Sequence, residues 1–279
     1  MARNRRAAPP ASAKEALTEL SRPGPHQVLR GDLGMVGLPG VVFAPAKGLG
    51  LPALAFGHDW LQPPQRYGEL LRHLASWGIV TAAPGSQRGP LPSHARFAAD
   101  LRTTLEVCAG VRLGTGEISV DTSRLALAGH GMGGGCAVLA AAADAADRGR
   151  VAAVVTLAAA ATNPPAATAA QSVTAPALHL VGGKDQVAPP SGHAEPLAVG
   201  AGGPVWLRTL PKADHLSFLE GRHWSDALVA GSPRPAIRKL TNALVTAFLL
   251  RHLTGDGRFE ALIDGKVPGT KLELSPTPA

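Results

Sequence analysis

The stretch that most narrows the fold is Leu125–Ala143, "LALAGHGMGGGCAVLAAAA". An apolar run ends in a glycine-dense turn and passes at once into an alanine-rich segment. Alanine is the strongest helix former, and a short apolar run closed by glycine reads as a buried strand. A strand feeding a helix through so short a turn is half of a β-α-β unit, which requires a parallel sheet covered by helices.

The rest of the chain repeats that alternation. "GVVFAP" (Gly40–Pro45), "ALAFGH" (Ala53–His58) and "IVTAAP" (Ile79–Pro84) are short apolar runs bounded by Pro or Gly. Tyr67, Leu70, Leu71, Leu74 and Trp77 recur at helical spacing before Gly78 ends the pattern. A helix is expected from about Pro92 to Val111, strands over "VAAVVTLAA", Pro176–Gly183 and Pro204–Leu210, and a long helix over Pro235–Leu253. The fold class is therefore α/β, a mostly parallel central sheet with helices on both faces. The short Ala/Pro/Thr segment between Ala159 and Pro176 leaves no room for a large cap domain, so an open cleft is expected. The expected organisation is a flexible basic tail over residues 1–24, one domain over 25–255 and a C-terminal extension over 256–279.

Composition excludes several classes. The formal net charge is +7, but the arginines are scattered and no basic run is interleaved with aromatics, which argues against nucleic-acid binding. Arg3, Arg5 and Arg6 precede Pro9, Pro10, Lys14 and Glu15, which break any export signal, so a cytoplasmic protein is expected. Arg238, Lys239 and Asn242 interrupt the long helix, so no membrane span is expected. Two cysteines, Cys108 and Cys136, are too few for a disulfide framework or a metal knot. The run Gly131–Cys136 fails a dinucleotide-binding loop at its last glycine. No cofactor and no metal are expected.

Four stretches in order carry a resemblance. They are "ALAFGHDWLQPPQRYGELLRHLASWGIVTAAPG", "LALAGHGMGGGCAV", "LHLVGGKDQVAPPSGHAEP" and "LPKADHLSF". Together they resemble the α/β-hydrolase fold, and within it the chlorophyllase, dienelactone-hydrolase and bacterial cutinase (polyester hydrolase) group. The second stretch is similar to the nucleophile elbow, where that group usually reads Gly-His-Ser-Met-Gly-Gly. Here Gly131 stands at the serine's place. Small residues two before and two after the tip keep such a turn free of clashes, and Gly129 and Gly133 meet that need.

The chain order elbow, acid, histidine is the order this fold uses, and it points to Asp185 and His215 as a retained dyad. Asp214 is a rival acid. The resemblance assigns the oxyanion hole to the backbone N–H groups of Met132 and Trp60. His58, Asp59 and His130 are expected around that pocket. A carboxylate at Asp59 opposes the negative charge such a pocket holds, and it is read as a departure independent of Gly131. His223 and Trp224 are further candidates for the cleft wall.

Three functions follow. The cleft persists as a non-hydrolytic binding site for an ester-like, acyl or other apolar small molecule, or for a partner protein. Alternatively the chain is a carboxylic-ester hydrolase using another nucleophile, above all a water in the space at residue 131 activated by His215; Cys136 and Ser217 are poorer substitutes. In the third, it is an interaction protein whose basic tail is the working part.

Overall fold

A computed structural model of the chain describes residues 11–276. The elements in chain order are α1 (Ala13–Leu20), β1 (Val28–Asp32), β2 (Gly40–Pro45), β3 (Gly48–Gly57), α2 (Gly68–Ser76), β4 (Val80–Pro84), α3 (His94–Gly110), β5 (Ile118–His130), α4 (Met132–Asp147), β6 (Val151–Leu157), α5 (Ala166–Ala169), β7 (Ala177–Gly182), α6 (Ala194–Gly200), β8 (Val205–Leu210), α7 (Pro235–Thr254), α8 (Glu260–Ile263) and β9 (Lys271–Leu274).

The strands form one sheet in the order β1-β2-β4-β3-β5-β6-β7-β8-β9. The six strands from β4 through β8 in that order are parallel, while β1, β2 and β9 pair antiparallel at the two edges. Period-two alternation splits the core between two faces. Leu54 and Phe56 of β3 face the layer containing α1, α2, α7 and α8. Ala53 and Ala55 of the same strand face the layer of α3, α4, α5 and α6.

Register sets the functional edge. Phe56 pairs with Ala128 and Gly57 with Gly129, so the loop after β3 and the turn after β5 emerge side by side. β7 and β8 end on the same edge, at Gly182 and Leu210. Ligands of open parallel sheets bind outside these carboxyl ends. Between β6 and β7 the chain places only α5 and a 3-10 turn at Ala170–Ser172, so no cap domain is inserted there.

Two stretches differ from expectation. The described part of the expected tail is structured: Ser12 caps α1 through a capping box with Glu15, and Ala16 and Leu20 are fully buried against α7 and α8. Arg3, Arg5 and Arg6 lie outside the described residues. At the other end, α8 buries Leu262 and Ile263, and β9 extends the sheet beyond β8. Fully buried Arg208 of β8 ties this segment down by donating to the carbonyls of Ile263 and Gly265 and to Thr270 Oγ1. Among the described residues no helix is long and apolar enough to cross a membrane.

Candidate active site

The turn after β5 keeps its shape without a side chain at the tip. Gly131 has φ 52° and ψ −120°, a conformation that side chains adopt only under strain. Its N–H donates to the Leu157 carbonyl at 3.0 Å, and its carbonyl accepts from Ala160 N–H at 2.8 Å and Gly134 N–H at 3.0 Å. The tip is therefore fixed between β6 and the first turn of α4. Gly129 and Gly133 pack backbone on backbone, and a Cβ on either would overlap the neighbouring main chain.

The space at the tip is not vacant. A Cβ on Gly131 would fall inside the carboxylate of Asp59. Asp59 reaches in from the loop after β3 and spreads its two oxygens over two partners. Oδ1 accepts from the Met132 N–H at 2.8 Å, and Oδ2 meets His215 Nε2 at 3.0 Å. His215 Nδ1 meets Asp185 Oδ2 at 2.8 Å. Asp185 Oδ1 accepts from the N–H groups of Val187 and Ala188 at 2.9 Å each. Asp59, His215 and Asp185 thus form one line, with the histidine between two carboxylates.

This arrangement decides the charge states. Burial is the largest single influence on His215 and opposes its charge. The hydrogen bonds and charges of Asp185 and Asp59 together outweigh it and raise the imidazole to about 10. Burial likewise opposes the charge on Asp59, but the hydrogen bond and charge of His215 and the Met132 N–H hold its carboxyl well below the usual carboxylate range. Asp185 is held low in the same way, by His215 and its two backbone donors against burial. At neutral pH the line reads carboxylate, imidazolium, carboxylate.

A second layer braces it. The N–H of Asp59 donates to Tyr67 Oη at 3.0 Å, and Tyr67 Oη lies 2.9 Å from His130 Nδ1. His130 Nε2 lies 3.0 Å from the His215 carbonyl. Tyr67 therefore gives its proton to His130 Nδ1, and a neutral His130 gives its own to the carbonyl; burial, then the His215 charge, pushes His130 down to about 4. His58 is buried with its ring between the carbonyls of Asp59 and Ser86 at 2.8 Å each. His58 and His130 thus lie behind Asp59 and His215 and are not among the residues lining the cleft. Asp59, His130 and His215 bring ligand-type atoms within 4.8 Å of one another. Both His130 nitrogens and His215 Nε2 are engaged in hydrogen bonds.

The other candidates sort by position. Trp60 places its side chain in the cleft wall, pinned by Nε1 donating to Pro90 O at 3.1 Å, while Met132 N–H, the first expected oxyanion donor, is taken by Asp59. Cys136 is buried, and burial followed by the Asp59 charge pushes its thiol up to about 12. Ser217 and Asp214 bond each other at 2.8 Å as a cap for the turn carrying His215, so neither joins the line. From the segment holding His223 and Trp224, the cleft wall takes instead Ser225, Leu228 and Val229.

The cleft above Asp59 and His215 has a volume of about 380 Å³. Its walls are largely apolar: Trp60, Pro90, Leu91, Met132, Ala160, Ala161, Val187, Leu228 and Val229, with Gln62, His94 and Ser225 as polar points. A larger, shallower groove of about 750 Å³ beside α1 and Trp77 contains none of the site residues.

Asp59 is a candidate by sequence, but its bonds to His215 and Met132 N–H over the tip at Gly131 are not among the expectations. Two signals for them were present: a carboxylate in the loop after β3, and a turn tip with no side chain to exclude it.

No curated protein matches the chain. The family model that matches covers Gly131, Asp185 and His215 and starts beyond Asp59 and Trp60. It is the model of the PET hydrolase-like family (PETase), matched over residues 90–263, well over half of the chain, and the chain belongs to that family of α/β-hydrolase type.

Proposed function

We propose that the chain keeps the cleft of its fold as a binding site for a small, largely apolar molecule and does not hydrolyse carboxylic esters. One observation carries this reading: the Asp59 carboxylate lies between Met132 N–H and His215 Nε2, over the bare tip at Gly131.

Three requirements of ester hydrolysis are blocked at once. Gly131 offers no hydroxyl to acylate. The Met132 N–H, which would stabilise a developing oxyanion, is spent on Asp59. His215 Nε2 has no free lone pair while it holds a proton for Asp59, so it is not a general base toward a water above residue 131. That water would need the space Asp59 fills.

The cleft wall supports the binding half. Trp60, Leu91, Val187 and Leu228 are exposed large apolar side chains gathered around one cavity, the usual make-up of a small-molecule site. The test pairs two measurements on the unaltered protein. A fluorophosphonate probe should leave it unlabelled and nitrophenyl esters should turn over no faster than in buffer, while an apolar fluorescent dye should bind and perturb Trp60 emission. Stoichiometric labelling, or ester turnover abolished by His215→Ala, would sink the reading.

A further inference from the structure

We propose that Asp59 is a nucleophile toward saturated carbon, and that the cleft takes small apolar alkyl halides and converts them to alcohols through an ester on Asp59. This rests on the reading of the cleft as an apolar small-molecule site.

Of the three groups in line, Asp59 and His215 line the cleft, and Asp59 is the more exposed. Its side chain is 11% exposed, against 2% for His215 and 0% for Asp185. Its oxygens point to a donor each, but a carboxylate has further lone pairs, and Asp59 lines the cavity. Carboxylates act as nucleophiles in covalent catalysis when held ionised and aimed at an electrophilic carbon.

The type of electrophile follows from leaving-group chemistry. Attack of a carboxylate on an ester carbonyl gives an adduct that expels the weaker base, which is the carboxylate itself, so nothing is gained. Attack on a saturated carbon bearing bromide or chloride breaks the carbon–halogen bond and expels a halide ion, a much weaker base. No protonated leaving group is required, and the apolar walls suit an alkyl chain.

The remaining geometry fits the second half. Once Oδ2 carries an alkyl group, Asp59 is a neutral ester. In the carboxylate, Oδ2, the atom to be alkylated, stands 3.0 Å from His215 Nε2, and Oδ1, which becomes the ester carbonyl oxygen, stands 2.8 Å from Met132 N. That is the disposition needed for hydrolysis: a donor for the oxyanion, and a histidine beside the leaving oxygen. Loss of the Asp59 charge also removes one of the two carboxylates holding the proton on His215.

The steps balance. The Asp59 carboxylate and R–X give the alkyl ester and X⁻. His215 releases its Nε2 proton to solvent. Neutral His215 then takes a proton from water as the hydroxide oxygen bonds to Cγ, and the tetrahedral oxyanion forms on Oδ1 at Met132 N–H. Collapse breaks the Cγ–Oδ2 bond, and His215 protonates the departing Oδ2, giving R–OH. The carboxylic acid left on Asp59 passes its proton to His215, restoring the resting pair. The sum is R–X and water to R–OH, H⁺ and X⁻.

The experiment uses the full chain and n-butyl bromide. The unaltered protein should release bromide catalytically. In heavy-oxygen water, a single turnover should give unlabelled butanol and place the label in the peptide carrying Asp59. His215→Gln should lower turnover on the order of 100-fold or more and accumulate one butyl group on that peptide. Asp59→Asn should show neither adduct nor bromide release while remaining folded by circular dichroism. Butylation confined to other side chains, or labelled butanol in the first turnover, overturns the proposal. If dye binding persists without bromide release, this inference alone fails; if a fluorophosphonate labels the protein, the reading beneath it fails as well.

Discussion

The carboxylate of Asp59 occupies the volume that any side chain on Gly131 would need. The two residues belong to different loops, after β3 and after β5, brought together because Gly57 and Gly129 are paired in register. Their identities are therefore one feature. Glycine at the tip makes room for a carboxylate, and the carboxylate takes the hydrogen-bond donor and the histidine that a tip side chain would otherwise use. Asp59 does not oppose the charge of the oxyanion pocket from beside it; it is the charge in the pocket.

Reversal therefore needs both positions. Gly131→Ser alone places Cβ into Asp59 and should destabilise the protein by about 1–3 kcal/mol, the usual cost of overpacking, without ester turnover. Combined with Asp59→Gly, the hydroxyl gains space, His215 Nε2 is freed, and Met132 N–H is open to an oxyanion. Nitrophenyl ester turnover and fluorophosphonate labelling should then rise by roughly two orders of magnitude or more over the unaltered protein. A double variant that folds and stays as inert as the single one would show that the cleft differs from an esterase in more than this pair.

Stability should carry the signature of the His215 pair. A raised imidazole stabilises the fold fully below its unfolded value of roughly 6.5, and that contribution is lost as pH rises toward about 10. The lowered carboxyls of Asp59 and Asp185 act oppositely: they stabilise above roughly 4 and lose that contribution as pH falls through their folded values. His73, His130, His179 and His252, each pushed down to about 4 chiefly by burial, erode stability on the acid side as well. The alkaline limb is thus the informative one. Asp59→Asn keeps shape but lets a neutral His215 accept a hydrogen bond, so urea midpoints between pH 6.5 and 10 should decline less steeply than in the unaltered protein. The Cys108 thiol, raised by burial alone, contributes equally to both and cancels, while Cys136, raised in part by the Asp59 charge, adds to the steeper decline of the unaltered protein. Parallel limbs would mean that Asp59 does not hold the proton on His215.

Much of this is legible in the sequence. Periodicity located β2 through β8, α2, α3, α4 and α7, because each is long or bounded by Gly and Pro. Glycine spacing and chain order identified the turn at Gly131 and the Asp185–His215 pair, since local backbone demands leave local signals. What escaped was non-local or edge structure. α1 is short and half polar, and only its contact with α7 and α8 explains Ala16 and Leu20. β9 is a four-residue, largely exposed edge strand that exists by pairing with β8. The roles of His58 and His130 as braces depend on carbonyls contributed by distant residues. Asp59 stands out in the sequence, but its partner Gly131 is 72 positions away, and proximity between two loops is a property of sheet register.

The cleft wall should depend on Arg66. Its guanidinium is buried and binds Asp226 bidentately, Gln62 Oε1 at 2.7 Å, and the carbonyls of Glu220 and Gly221 at 2.8 and 2.9 Å. Gln62 in turn donates to Ser225 Oγ at 2.9 Å, beside Leu228 and Val229 of the wall. Arg66→Met leaves Asp226 with only the His223 N–H as donor and takes the guanidinium from two carbonyls, at a cost of about 3–5 kcal/mol. Arg66→Lys restores charge but not the planar fork, so it should recover only part. Limited proteolysis should cut both variants first between residues 220 and 230 and leave the unaltered protein intact there. Equal protection in all three would show that the wall is held by its apolar contacts instead.

The N-terminal helix should prove part of the domain. Leu20 is fully buried, Trp77 Nε1 donates to Arg22 O at 3.1 Å, and Gly24 N–H donates to Ser76 Oγ at 2.7 Å. α1 thus closes the layer formed by α7 and α8, and its removal bares their apolar surface to water. Leu20→Ala should cost about 2–5 kcal/mol, the range for a large aliphatic side chain truncated in a packed core. Deleting residues 1–22 should cost more and raise dye binding at the exposed face, without changing the Asp59 chemistry at the far end of the parallel strands. Urea denaturation of the two proteins measures the first effect. A truncated chain as stable as the whole would return this segment to the status of a tail and leave Leu20 buried to no energetic purpose.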